Sequence, residues 1–242
     1  YLMVDLFNYS RREASVVHIG ALDMGGDNPI RIQSMTTTNT NDTEACVKQA
    51  EEIIKAGGEL VRFTTQGSRE AENMKNINAG IRADGYDTPL VADVHFNPNV
   101  ADVAALYCEK VRINPGNYVD PARKFIKQEY TDEEYAHELQ KIEERFVPFL
   151  NICKENHTAI RIGVNHGSLS DRIRNRYGDT PEGIVESCME FLRICKKENF
   201  NDVVISIKAS STVVMVRSVR LLVSEMEKEG MNYPLHLGVT EA

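Results

Sequence analysis

A chain of 242 residues with 42% hydrophobic composition can bury a large core, as one sizeable α/β domain or two smaller ones. Its formal net charge of −8 and pI near 5.4 argue against nucleic acid as a partner, so any anion it binds must be small and held locally. No apolar run approaches the roughly 20 residues of a membrane span, and the opening YLMVDLFNYSRREAS lacks a signal peptide's apolar core; the expectation is a soluble intracellular protein with no membrane partner.

The first pattern is VVHIGALDMGGDNPI, read as a β-hairpin built on its Gly-Gly turn and plugging the bottom of a barrel. From there strand-like runs alternate with amphipathic helices. PIRIQSM (29–35) precedes a helix opened by Asp42-Thr43-Glu44 and closed by Gly57-Gly58. LVRFTT (60–65) precedes a helix over 68–83, PLVADVHF (89–96) leads into NPNVADVAALYC, and KVRINPGN (110–117) leads into a longer connection. In that connection residues 118–130 read as a solvated polar loop. A helix then starts at a capping box from Thr131 to Glu134 and buries Leu139, Ile142, Phe146, Phe149, Leu150 and Cys153. AIRIGVNHGS (159–168), DVVISIKASS (202–211) and PLHLGVTEA (234–242) complete seven β units.

Strands separated by helices of this length run parallel, with right-handed crossovers. A dinucleotide-type G-x-G-x-x-G is absent, and polar residues follow every strand instead of one switch point, which selects a (β/α)8 TIM barrel over an open sheet. The chain stops after the seventh strand, so the expectation is a single incomplete barrel domain over 1–242 whose unpaired strand edges invite association as a homodimer. The five cysteines, Cys46, Cys108, Cys153, Cys188 and Cys195, form no C-x-x-C pair and read as core residues, with Cys188 and Cys195 on one helix face.

The chemistry lies in a repeated oddity: VRFTT, VRINPGN and IRIGVN each place an arginine inside an apolar strand, and ISIKAS offers a lysine in the matching place. Side chains alternate along a strand, and the positions flanking these cations carry Val, Ile and Phe suited to face helices. Arg62, Arg112, Arg161 and Lys208 therefore point into the barrel, toward the mouth where this architecture builds its sites. The competing explanation pairs each cation with an inward acid. Only Asp93 and Glu241 are available, and two carboxylates do not balance four cations whose burial unpaired costs several kcal/mol. A phosphate or diphosphate ligand answers the need, because arginine's planar fork grips such oxygens with paired hydrogen bonds; Asn114, Asn165 and the amides around Gly116 and Gly167 are candidate neutral donors. Arg31, early in its strand, reads as structural. His95, His166 and His236 have no metal-ligand spacing, and His95 alone stands where it can reach a ligand.

In order, RIQSMTTTNTND, LVADVHF, VRINPGN, RIGVNHGSLSDR, SIKAS and PLHLGVTEA resemble the barrel domain of the 4-hydroxy-3-methylbut-2-enyl-diphosphate synthase family, from about Ser10 to the last residue. The long connection before IRIGVNHGS is similar to the extended form of that family, which carries an inserted domain. The resemblance implies a bacterial cytoplasmic oxidoreductase of isoprenoid biosynthesis acting on methylerythritol cyclodiphosphate, a ring closed by a diphosphate. It further implies that Arg62, Arg112, Arg161 and Lys208 grip the diphosphate, that Asp93, Asn114 and Asn165 order the pocket, and that Glu241 is the acid-base residue. Electrons would come from ferredoxin or flavodoxin through a [4Fe–4S] cluster whose ligands lie in a C-terminal domain outside these residues, so no metal ligand is expected in this chain and the chain alone would bind substrate without turning it over.

Two other readings of the same residues remain open at this point. A class I aldolase would form a Schiff base at Lys208, trapped by borohydride. A pterin-binding barrel of the dihydropteroate synthase kind would bind pterin diphosphate in competition with cyclodiphosphate.

Overall fold

The computed structural model describes residues 12–120 and 129–236. A two-stranded antiparallel hairpin, β1 (Val17–Ile19) and β2 (Leu22–Met24), precedes a parallel sheet in the order β3-β4-β5-β6-β7-β8. Its strands are β3 (Gln33–Met35), β4 (Leu60–Thr65), β5 (Leu90–Val94), β6 (Lys110–Ile113), β7 (Ala159–Asn165) and β8 (Val203–Lys208). The helices α1 (Thr43–Lys55), α2 (Ser68–Ala83), α3 (Pro98–Tyr107), α4 (Asp132–Asn156), α5 (Asp171–Tyr177), α6 (Pro181–Lys197) and α7 (Thr212–Lys228) link them. Sequential strands are neighbours throughout, as expected of a singly wound barrel wall.

Local chemistry sets the helix starts. Asp42 accepts from the Ala45 amide, Asn97 from Asn99 with Pro98 in the first turn, Thr131 from Glu134, and Ser211 from Val214; each satisfies an amide that the first helical turn leaves free. The expected helix over 68–83 is observed with those bounds. The capped helix at Thr131 runs unbroken for 25 residues through Pro148.

Alternation along each strand divides the interior in two. Val61, Phe63, Ala92, Val94, Val111, Ile113, Ile160, Ile162, Val203 and Ile205 face outward and form the main core with the helices. The opposite set, Leu60, Val91, Ala159 and Val204, closes the inside of the sheet at its N-terminal end against Val17, Ile19 and Met24 of the hairpin. The hairpin thus caps the bottom, and each fully buried aliphatic there contributes about 1.5–3 kcal/mol.

Three expectations need correction. The hairpin turns at Gly20-Ala21, while Gly25 and Gly26 follow β2 at φ +84° and +56°, where the chain leaves the hairpin. The strand expected over 29–35 pairs only from Gln33 to Met35. The connection expected to be solvated begins buried: Tyr118 packs edge-on against Phe146 and Phe191, and Asp120 pairs with Arg172. Of the seventh barrel strand, expected over 234–242, the described residues form a parallel bridge from Ile205 to Leu235, and residues 237–242 lie outside those described.

Candidate active site

Parallel register places the cations. Arg62 pairs with Val91, which pairs with Lys110; Asp93 pairs with Arg112, which pairs with Arg161; Asn165 pairs with Lys208. Register partners share a face, so these residues rise on the inner face in successive layers above the apolar floor. Arg62, Asp93, His95, Arg112, Arg161, Asn165, Ser206 and Lys208 line one cavity of about 170 Å³ at the C-terminal ends of the strands.

Only one carboxylate serves this cluster among the described residues. Asp93 takes Arg112 Nη1 at 3.0 Å on one oxygen and Arg62 Nε at 3.3 Å on the other, and stands 3.7 Å from His95 Nε2. Arg112 also donates to the Gly163 carbonyl at 3.0 Å, and Arg62 leans a second nitrogen on the Met35 sulfur at 3.1 Å. Among the described residues Arg161 has no acid partner: its Nε donates to Ser206 Oγ at 2.9 Å, and its buried Nη1 has no hydrogen-bond partner there. Burial, reinforced by Arg62 and Arg112 and partly offset by Asp93, pushes the Arg161 guanidinium down to about 9. Among the described residues the cavity wall therefore carries more cations than carboxylates.

Lys208 differs from the sequence expectation. It stands level with Asn165, four residues beyond the partner of Arg161, so it guards the rim and not the arginine layer. The neutral donors also differ. Asn114 is absent from the cavity lining; its amide donates to Ser168 Oγ at 2.8 Å and its oxygen accepts from the Gly116 amide at 3.0 Å. The Gly167 amide likewise closes onto Asn165 Oδ1 at 3.0 Å. These groups build the turns that carry the site and leave few amides for a ligand. Glu241 lies outside the described residues. Arg31 ties the Asp23 carbonyl and Glu59 together below the sheet, and His166 pairs with Asp179.

One buried titratable group, Lys110, was missed by sequence reasoning, and His236, weighed there only as a metal ligand, is half-buried beside it. Lys110 is fully buried, its Nζ donating to Gln33 Oε1 at 3.2 Å across the interior. Burial, then Arg161 and Arg62, drives its amine well below the ordinary lysine value. His236 is held down to about 3 by burial and by Arg161, Lys110 and Arg62. Lys110 shares parity with Arg112, and that signal was present in the sequence; its position at the strand's first residue masked it.

Among the described residues no group of three or more His, Cys, Asp or Glu can hold a metal ion, and all five cysteines are buried and unpaired. None of the described helices is long and apolar enough to cross a membrane.

Comparison with known proteins adds a family. The GcpE TIM-barrel domain model matches residues 14–242. A relative from Phocaeicola vulgatus, 4-hydroxy-3-methylbut-2-en-1-yl diphosphate synthase (flavodoxin), is 80% identical over 239 residues, covering 99% of this chain and 39% of the relative. The protein of the same name from Bacteroides fragilis is 77% identical, covering 99% and 38%. The chain thus spans about 39% of the length of such relatives. Among solved structures, Xanthomonas albilineans dihydropteroate synthase superposes with a TM-score of 0.55 at 12% identity, covering 92% of this chain and 76% of that one, a likeness of fold alone.

Proposed function

This chain belongs to the GcpE TIM-barrel domain family, and on that premise we propose that its mouth cavity binds the diphosphate of methylerythritol cyclodiphosphate for reductive ring opening and dehydration to hydroxymethylbutenyl diphosphate. The observation that carries the reading is the convergence of Arg62, Arg112, Arg161 and Lys208 on one cavity where Asp93 is the single carboxylate among the described residues. A doubly charged diphosphate balances the excess cations of the described residues and gives Arg161 Nη1, which has no hydrogen-bond partner among them, an acceptor. Asp93 holds the forks of Arg62 and Arg112 in place, Asn165 and His95 face the rest of the ligand, and Asn114 braces the turn behind it. Glu241 acts as acid-base residue toward the departing hydroxyl.

The residues described here do not fit an iron–sulfur cluster. The proposal therefore assigns a [4Fe–4S] cluster to another part of the full-length protein, with flavodoxin as electron donor, in keeping with the qualifier in the relatives' names, and ferredoxin as the alternative. The cellular setting is the bacterial cytoplasm. A Schiff-base aldolase and a pterin-binding barrel are disfavoured by the family membership, and a shared fold at 12% identity lends neither any weight.

Calorimetric titration of methylerythritol cyclodiphosphate into the protein tests the reading. Arg112→Leu is expected to weaken binding at least 100-fold with its circular dichroism unchanged, the loss of about 3 kcal/mol typical of a buried charge-assisted contact. Equal affinity in the variant sinks the assignment.

A further inference from the structure

Lys110 is the odd member of the cation cluster. Its α-carbon belongs to the apolar floor, because its register partners Val91 and Ala159 pack there with Leu60, Val204 and the hairpin. Its side chain rises from that floor and crosses the interior to Gln33 on β3, three strands away in the sheet. A neutral amide is its single hydrogen-bond partner, and no carboxylate contacts it among the described residues. The charged groups facing it are Arg62 from β4, Arg161 from β7 and His236 beyond α7, with Arg112 two residues ahead on its own strand; Asp93, on β5, is engaged by Arg62 and Arg112. A lysine serving packing alone would be replaced without loss by methionine, whereas this amine spans the space beneath the anion-binding wall. A cation in this place is disfavoured by burial and by the neighbouring guanidiniums, and an anion above it reverses the sign of the local field.

We propose that Lys110 is a positioning residue at the floor of the anion site, and that it takes up one proton from solvent when a diphosphate-bearing ligand enters, becoming a further cation beneath the ligand. The inference rests on the anion-binding reading above and adds that binding and protonation are one event. Burial and the neighbouring arginines keep the amine low in the free protein, in agreement with this geometry. The direction follows from linkage: a complex that binds more protons than the free protein loses affinity as pH rises, by up to tenfold per pH unit for one proton.

Methylerythritol cyclodiphosphate is a clean probe, since both phosphorus atoms lie in the ring and each bears one strongly acidic oxygen, so the ligand itself does not titrate near neutrality. The experiment is calorimetry on the full-length protein without reductant, in HEPES and in Tris, between pH 6 and 8. That range lies below the value near 9 to which burial pushes Arg161. The wild type is expected to show buffer-dependent heats equivalent to uptake of about one proton and affinity that falls with pH. Lys110→Met is expected to bind more weakly, with no uptake and a flat pH profile. His236→Gln is expected to retain the uptake and Lys110→Gln, a smaller neutral replacement, to lose it, and these two decide the matter if Lys110→Met does not fold. Identical heats in the two buffers, uptake persisting in Lys110→Met or Lys110→Gln, or uptake lost in His236→Gln overturns the proposal while leaving diphosphate binding intact. Absence of binding by the wild type overturns the substrate reading, and this inference with it.

Discussion

Gly163 shows how closely one residue is bound to the site. It follows Arg161 by two on the inner face of β7, and a β-carbon built there would meet Arg112 Nε at 2.5 Å and Ser206 Oγ at 3.2 Å. Arg112 lies across the space a side chain would need, so glycine is required by the arginine and not by the backbone. Gly163→Ala is therefore expected to push Arg112 out of its contact with Asp93 and lower cyclodiphosphate affinity about tenfold, or ~1.4 kcal/mol, without changing any charge. Unchanged affinity measured by calorimetry, in a variant with an unchanged melting temperature, would contradict this placement of Arg112. Residue by residue, the inward parity of Arg62, Arg112, Arg161 and Lys208 was legible because alternation is a property of any strand. The height of each residue was not, since it depends on the register between strands, and Lys208 was consequently set at the arginine layer when it stands at the rim.

Elements are held to one another by groups the sequence did not advertise. Arg172 of α5 is almost wholly buried and grips Asp120 after β6 with two bonds at 3.2 and 3.0 Å, and Glu190 of α6 with two at 2.8 Å. Tyr135 of α4 donates to Glu190 at 2.7 Å while its ring lies 4.7 Å from the guanidinium. Four segments thus meet at one cation whose charge is strongly favoured by its two carboxylates despite burial. Removing it strands Asp120 and Glu190 in the interior. Arg172→Met is expected to cost about 3–5 kcal/mol in urea unfolding, with Tyr135→Phe costing about 1–2. A change below 1 kcal/mol in Arg172→Met would show that the network is not a fastening. Helix starts and the long capped helix were readable from local rules, because a cap needs only neighbours within three residues. Asp120, in a segment read as solvated, was not readable, because its partner is 52 residues away.

At the scale of the molecule, the same alternation that builds the core on the helix side builds an apolar floor on the other side, and leaves above it a wall with more cations than anions among the described residues. The barrel architecture followed from the sequence through the regular beat of strands and helices, and six parallel neighbours in chain order bear it out. The closing portion of the wall lies beyond the described residues, as does Glu241, so the acid-base role stands as part of the proposal. On the reading proposed above, charge imbalance among the described residues of this wall, and not any single motif, selects a doubly phosphorylated small molecule. The most direct measurement is a crystal structure of the full-length protein with methylerythritol cyclodiphosphate. The account predicts both phosphorus atoms inside the cavity bounded by Arg62, Arg112, Arg161 and Lys208, with an oxygen bonded to Arg161 Nη1, which has no hydrogen-bond partner among the described residues. A ligand seated elsewhere, or these four side chains turned away from it onto separate carboxylates, would contradict it.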